Sequence, residues 1–278
     1  MRFAIKTPPQ HGTWADFLDV WKAADQIELF ESAWNFDHFY PLTEPHSGPC
    51  LEGWTMLAAM AQATSRLRLG CMVSAMHHRH PAVTANMAAT LDLISGGRFD
   101  LGMGAGWNEM ESDAYGLRLG PVKERLDRFE EGIEVILSLL TNDLTNFQGR
   151  FYQLTDARCE PKGLQRPPPL VIGGKGRRRT LRLVARHASG WDCMAVPPGE
   201  WQELHEVLLE HCSAVGRDPT EITTMAHVRM AAGSDPAELA DRAASYQGVG
   251  VDLVVFSMGP PYRARALEPL AHALSDLG

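Results

Sequence analysis

Short apolar runs alternate with amphipathic helical patterns eight times along this chain, and that alternation restricts the fold more than any other feature. The runs Arg2–Ile5, Ser32–Phe36, Leu67–Val73, Phe99–Met103, Leu170–Gly173, Gly190–Cys193, Ile222–Arg229 and Asp252–Phe256 read as strands. The segments between them read as helices. Thr13 caps the first, with Trp14, Phe17, Leu18, Trp21 and Ala24 on one face. The second covers Leu51 to Thr64, and Pro81 suits the first position of the third. Leu126, Phe129, Ile133, Ile136 and Leu140 mark the clearest helix. Later helices run through Leu181 and Val184, from Trp201 to Val215, from the Asp235-Pro236 cap, and from about Arg263. Eight strand–helix pairs in 278 residues predict one TIM-type (β/α)8 barrel spanning residues 1–278. Residues 142–169 are long for a barrel loop. They are expected to carry a hairpin insertion, because Phe147 and Phe151 to Leu154 flank Gly149.

Composition narrows the partners. A net charge of -8 argues against a general nucleic-acid binder. Five scattered cysteines with no C-x-x-C pair argue for reduced thiols, not a disulfide framework or zinc site. No stretch is long and apolar enough for a signal peptide or a membrane span, so a cytoplasmic protein is expected.

The stretch SGGRFDLGMGAGWNEMESDAYG, residues 95–116, raises the question of function. Gly102, Gly104 and Gly106 alternate at a strand end, yet the third glycine of a dinucleotide fingerprint falls on Trp107, and the next long helix begins about twenty residues later. The Rossmann reading fails. Loops after barrel strands build active-site faces, and bare backbone there is expected to let a flat ring approach. After the fifth strand, GGKGRRR (Gly173 to Arg179) places bare amides ahead of a helix, a natural anion site.

These segments, with WNFDHFYP at 34–41, PPPLVIGGKGRRRTLRLVARHASGWD at 167–192 and GVDLVVF at 250–256, resemble the bacterial luciferase-like flavin and deazaflavin oxidoreductases over essentially the whole chain. Asp37-His38 and Glu109 are similar to the subgroup that uses coenzyme F420, a deazaflavin. The resemblance implies a TIM barrel with an insertion, a cofactor across its C-terminal mouth, and a non-prolyl cis peptide matching Met72-Val73. It places cofactor-binding residues at Asp37, Met72, Val73, Gly104, Ala105, Gly106, Gly173, Gly174, Lys175, Gly176 and Arg177. It implies hydride transfer to or from a small organic substrate. The alternatives are an FMN-dependent two-component monooxygenase and a non-catalytic flavin-binding protein. The expected partners are a small-molecule substrate and a second copy in a homodimer, with a reductase only if the cofactor is FMN.

Hydride transfer is coupled to a proton, which directs attention to His38 and Glu109 at neighbouring strand ends. The bland alternatives are a structural hydrogen bond for His38 and a helix-start charge for Glu109. His77, His78 and His80 carry no ligand-spaced carboxylate or cysteine, so no metal is expected, although they follow a strand and can line a pocket. Arg177, Arg178 and Arg179 at a helix start oppose the helix dipole, which a bound phosphate and its anionic tail would offset. Trp54, Trp107 and Trp191 are candidate pocket walls or core.

Overall fold

The eight expected strand positions close into a parallel barrel in the computed structural model, which describes residues 1–277. β1 (Arg2–Lys6) leads to α1 (Trp14–Asp25), β2 (Phe30–Asn35), α2 (Gly53–Ala63), β3 (Arg68–Cys71), β4 (Ser74–Ala75) and α3 (Pro81–Ser95). β5 (Leu101–Gly104), α4 (Glu109–Ala114) and α5 (Val122–Thr141) follow, then the strands β6 (Thr145–Gln148) and β7 (Gln153–Ala157). The chain continues through β8 (Leu170–Gly173), α6 (Thr180–His187), β9 (Gly190–Cys193), α7 (Pro198–Val215) and β10 (Thr223–Met230). It finishes with α8 (Pro236–Gln247), β11 (Leu253–Met258) and α9 (Leu267–Leu274).

The barrel order is β3-β2-β1-β11-β10-β9-β8-β5-β4. β3 and β4 share one barrel position, because the third strand is interrupted at the cis Met72-Val73 peptide that the resemblance implied. Leu69 closes the ring: its amide donates to Arg98 O and its carbonyl accepts from Asp100, both at 2.9 Å. β6 and β7 pair antiparallel as the expected hairpin, with Phe147 opposite Leu154.

Local sequence explains most helix starts. Thr13 and Asp16 form a reciprocal capping box on α1, and Asp235 accepts from Ala237 ahead of Pro236 on α8. α4 lies outside the expected elements. Asn108 caps it by accepting from the Glu111 amide, and its six residues are too few for a visible hydrophobic period. The last helix is entered through a 3₁₀ turn at Ala264–Ala266, slightly later than Arg263 suggested.

Two cores follow from the period-2 alternation of the strands. Phe3 and Ile5 of β1 face the surrounding helices, where they join the large outer core. Ala4 faces inward, and with Trp34, Met72, Val171, Met225 and Val255 it fills the barrel. The glycines are set by this packing. A Cβ at Gly102 would lie 1.9 Å from Cys71 O, and one at Gly104 or Gly173 would lie 2.8 Å from Val73 Cγ2. They leave room for the protein's own interrupted strand, where the sequence suggested room for a ligand. Gly102→Ala is therefore expected to destabilise the fold by at least the 1–3 kcal/mol typical of overpacking, about the size chemical denaturation resolves, since backbone and not a flexible side chain blocks the methyl.

Candidate active site

The C-terminal ends of the strands surround a cavity of about 440 Å³. The β2 end contributes His38, the interrupted third strand Met72 and Val73, and the segment after β5 Gly104, Ala105 and Gly106. The β8 end contributes Gly173, Gly174 and Lys175. Most of the expected positions thus converge on one mouth.

His38 has the best-defined position of the candidate side chains. Its Nδ1 lies 2.8 Å from Glu111 Oε2, and Glu111 is fully buried. The Phe39 amide also donates to Glu111, through Oε1. Burial pushes the Glu111 carboxyl up, but the hydrogen bonds from His38 and Phe39 outweigh it and hold the pKa below its ordinary value. An ionised carboxylate only accepts, so Nδ1 carries a hydrogen, and Nε2, which has no partner among the described residues, is an acceptor when the ring is neutral. The Trp107 indole, largely exposed, stands edge-on 5.7 Å from the His38 ring at the rim of the cavity.

Four of the expected residues lie outside the cavity lining. Glu109 is 79% exposed, lies 3.9 Å from Arg125 and does not line the cavity; Glu111, two residues on and on the inward side of α4, holds the position beside His38. Asp37 is buried behind the wall, where the Arg79 Nη2 donates to Oδ1 at 3.0 Å and His78 lies 3.8 Å away. Burial raises its carboxyl, yet His78 and Arg79 hold it well below the usual range. Gly176 and Arg177 lie outside the cavity lining. Arg177 pairs with Glu203 at 2.9 Å and Arg179 with Asp127 and Glu130 at 2.8 Å, so neighbouring carboxylates already neutralise two of the three arginines. Of the tryptophans, Trp191 and Trp54 are core.

Other cavity residues were invisible to motif reading. Lys6, Asp192 and Ser257 line the wall, and His227 stands behind them. Lys6 donates from Nζ to Met72 O at 2.7 Å, bracing the interrupted strand. Burial lowers the Lys6 pKa, while Asp192 opposes that shift. Asp192 is itself raised by burial, and His227 and Lys6 overcome this to leave it below normal. The available signal was a polar residue at an inward position of each apolar strand, as in RFAIK, GWDC and TTMAHVRM.

The cavity suits a phosphate-bearing flat cofactor. The amides of Lys175, Gly176 and Arg177 donate to no acceptor among the described residues, whereas the Gly174 amide is used by Asp192 O at 3.0 Å. His77 lines the cavity with Nε2 2.9 Å from Ser112 Oγ and a buried Nδ1 that has no partner among the described residues. Among the described residues no cluster of three His, Cys, Asp or Glu is arranged to hold a metal ion, and no helix is long and apolar enough to cross a membrane.

A family model described as luciferase-like monooxygenase matches residues 1–277. The chain belongs to that family. A pyrimidine monooxygenase RutA from Allorhizobium ampelinum is 37% identical over 139 residues, 49% of this chain and 37% of the relative. An F420-dependent glucose-6-phosphate dehydrogenase from Amycolatopsis mediterranei is 32% identical over 210 residues, 75% of this chain and 61% of the relative. The chain therefore spans less than two thirds of either protein. The structure of an F420-dependent secondary alcohol dehydrogenase with an F420-acetone adduct superposes with a TM-score of 0.90 at 17% identity, covering 100% of this chain and 99% of that one, a likeness of fold.

His77 gives the site a pH signature. Burial and the neighbouring His78 lower its pKa from 6.5 to about 4. As pH falls below 6.5 the unfolded chain takes up a proton that the folded ring refuses until about pH 4. Stability should thus fall with pH across this window and be unaffected by this ring above it. Denaturation midpoints of wild type and His77→Asn between pH 4 and 7.5 are expected to converge towards low pH, since the variant lacks that loss.

Proposed function

We propose that the protein is an oxidoreductase that moves a hydride between coenzyme F420 and a small organic substrate in the 440 Å³ cavity. The observation that carries this reading is the His38–Glu111 pair at the cavity wall, in which a fully buried carboxylate is hydrogen-bonded to the imidazole. A bound deazaflavin supplies a ring carbon that gives or takes hydride. The chain's residues do the rest. Lys6 fixes the Met72 carbonyl and so the floor on which a ring would lie. The free amide of Lys175 at the cavity wall, with those of Gly176 and Arg177 next along the loop, would hold an anionic phosphate. His38 Nε2 takes or gives the coupled proton, and Glu111 stabilises the imidazolium that results. Phe36, Leu42 and Met194 supply apolar walls that keep water from the reacting centre.

One relation supports the deazaflavin over FMN. The F420-dependent dehydrogenase match extends over 75% of the chain, and the monooxygenase match, though higher in identity, over 49%. That higher identity keeps an FMN-dependent monooxygenase as the second reading.

Turnover and binding separate these roles. His38→Ala is expected to lower turnover by about 10²–10⁴-fold with cofactor affinity nearly unchanged, because a positioned acid or base acts on the reaction and not on the phosphate. A folded variant with wild-type turnover would leave His38 a structural residue. Fluorescence titrations with F420 and FMN address the cofactor. F420 is expected to bind more tightly, Gly174→Leu to bind weakly because φ +131° strains any side chain and a Cβ there would lie 3.2 Å from Thr180 Cγ2, and Arg177→Ala to change little since Arg177 is exposed and paired. Tighter FMN binding with oxygen consumption would establish the monooxygenase reading instead.

A further inference from the structure

The inward faces of β1, β9, β10 and β11 change character along the barrel axis. Ala4 is followed by Lys6, Met225 by His227, and Val255 by Ser257. The polar members connect. His227 Nε2 lies 2.7 Å from Asp192 Oδ1, its Nδ1 lies 2.9 Å from Ser257 Oγ, and Lys6 is the cation facing Asp192. Asp192 and His227 have side chains 5% and 4% exposed, so these groups are almost wholly withdrawn from water. Such burial is unfavourable compared with the apolar residues that fill the layer below, and packing alone does not require it. Ser257 is the half-buried end of the chain. It lines both the 440 Å³ cavity and a second one of about 640 Å³, which also contains His227 and shares Pro8, Gln10 and Met194 with the first.

We propose that Ser257, His227 and Asp192 form a second proton-transfer site, distinct from His38–Glu111, where the two cavities meet, and that its ligand is the oxygen of an alcohol or carbonyl substrate. The second cavity holds the body of that substrate. The position of the substrate rests on the proposed hydride transfer; the polarity of the network does not.

The direction of the proton follows from the acceptors. Ionised Asp192 only accepts, so His227 carries a hydrogen on Nε2. In the neutral ring Nδ1 is then an acceptor, the Ser257 hydroxyl donates to it, and the Ser257 lone pairs face the cavity. A substrate hydroxyl gives its proton to Ser257 Oγ as the Ser257 proton moves to Nδ1, while the hydride leaves the hydroxyl-bearing carbon for the deazaflavin and a carbonyl forms; the separate proton that the reduced cofactor gains is the one His38 would handle. In the reverse direction imidazolium Nδ1–H donates to Ser257, the Ser257 hydrogen passes to a carbonyl oxygen, and the carbonyl carbon receives the hydride of the reduced deazaflavin. One proton crosses Ser257 in each case. The ionisable groups around His227 are Asp192 on β9, Lys6 beyond it on β1, Arg229 on its own strand, and Arg242 and Tyr246 on α8. Ser257 would be the catalytic residue; His227 and Asp192 are positioning residues that set its polarity.

Two measurements test this. ¹⁵N NMR of histidine-labelled protein without cofactor should show His227 protonated on Nε2 at neutral pH, with Asp192→Asn abolishing that preference. Turnover of the F420-loaded protein on a panel of secondary alcohols and ketones should fall about 10²-fold in kcat/KM for Ser257→Ala, lose one limb of its pH profile, and recover in Ser257→Thr, with the F420 dissociation constant unchanged. An Nδ1–H tautomer in the wild type overturns the relay, as does wild-type turnover by Ser257→Ala. If the wild type turns over no alcohol or ketone with either cofactor, the substrate assignment falls with the hydride-transfer reading, and the NMR result alone judges the network.

Discussion

The contact between the interrupted third strand and its glycine neighbours governs the rest of this molecule. Val73 projects into space that a Cβ on Gly104 or Gly173 would occupy, and Cys71 O occupies the place of a Cβ on Gly102. Three strands, β3/β4, β5 and β8, can therefore adjoin at the mouth only if two of them lack side chains at these positions. Lys6 then holds the Met72 carbonyl from across the barrel. The floor of the cavity is thus a consequence of backbone packing and one buried cation, fixed before any ligand arrives. The same packing explains why the alternating glycines resemble a nucleotide loop without being one. Their spacing matches the inward period of a strand, not a turn around a pyrophosphate.

Above that floor the protein buries charge in groups whose members are all paired. Asp37 is held by Arg79, which also reaches Glu52 at 2.7 Å, and Glu111 is held by His38 and the Phe39 amide. Asp192 is held by His227. In each case desolvation pushes the carboxyl upward and the partners outweigh it, so the carboxylates remain ionised. Removing one partner would strand a buried charge, which is more damaging than the pair is stabilising. These networks are consequently better understood as fixing protonation states and ring orientations than as sources of folding energy.

Much of the fold was legible because each strand–helix unit carries its own local signals. Caps such as Thr13 and Asp235, the proline at position 81 and the apolar period of α5 each depend on a few adjacent residues. The site was legible only in part. His38 and the glycines stand in contiguous motifs, whereas the choice between Glu109 and Glu111 depends on which side of a six-residue helix faces inward, and WNEME presents both. Proximity in sequence likewise made the arginines after Lys175 seem available to a ligand, when carboxylates 26 to 52 positions away pair with two of them. Lys6, Asp192, His227 and Ser257 are spread over four strands, and no local window contains two of the first three.

What those four residues share is register. β1 pairs with β11 so that Lys6 lies beside Ser257, and β10 pairs with β11 so that Arg229 also lies beside Ser257, one inward step beyond His227. β9 pairs with β10 so that Asp192 lies beside Met225, one inward step below His227. A two-residue stagger between neighbours therefore converts separate polar residues into a rising chain from Asp192 through His227 to Ser257. Barrel closure fixes this stagger, because the strands of a closed barrel must tilt and shift by a set shear. A slip of one residue in β10 would turn His227 outward into the helical layer and break the chain at its centre. The closure that builds the apolar inner core is thus also what aligns the proton path with the cavity.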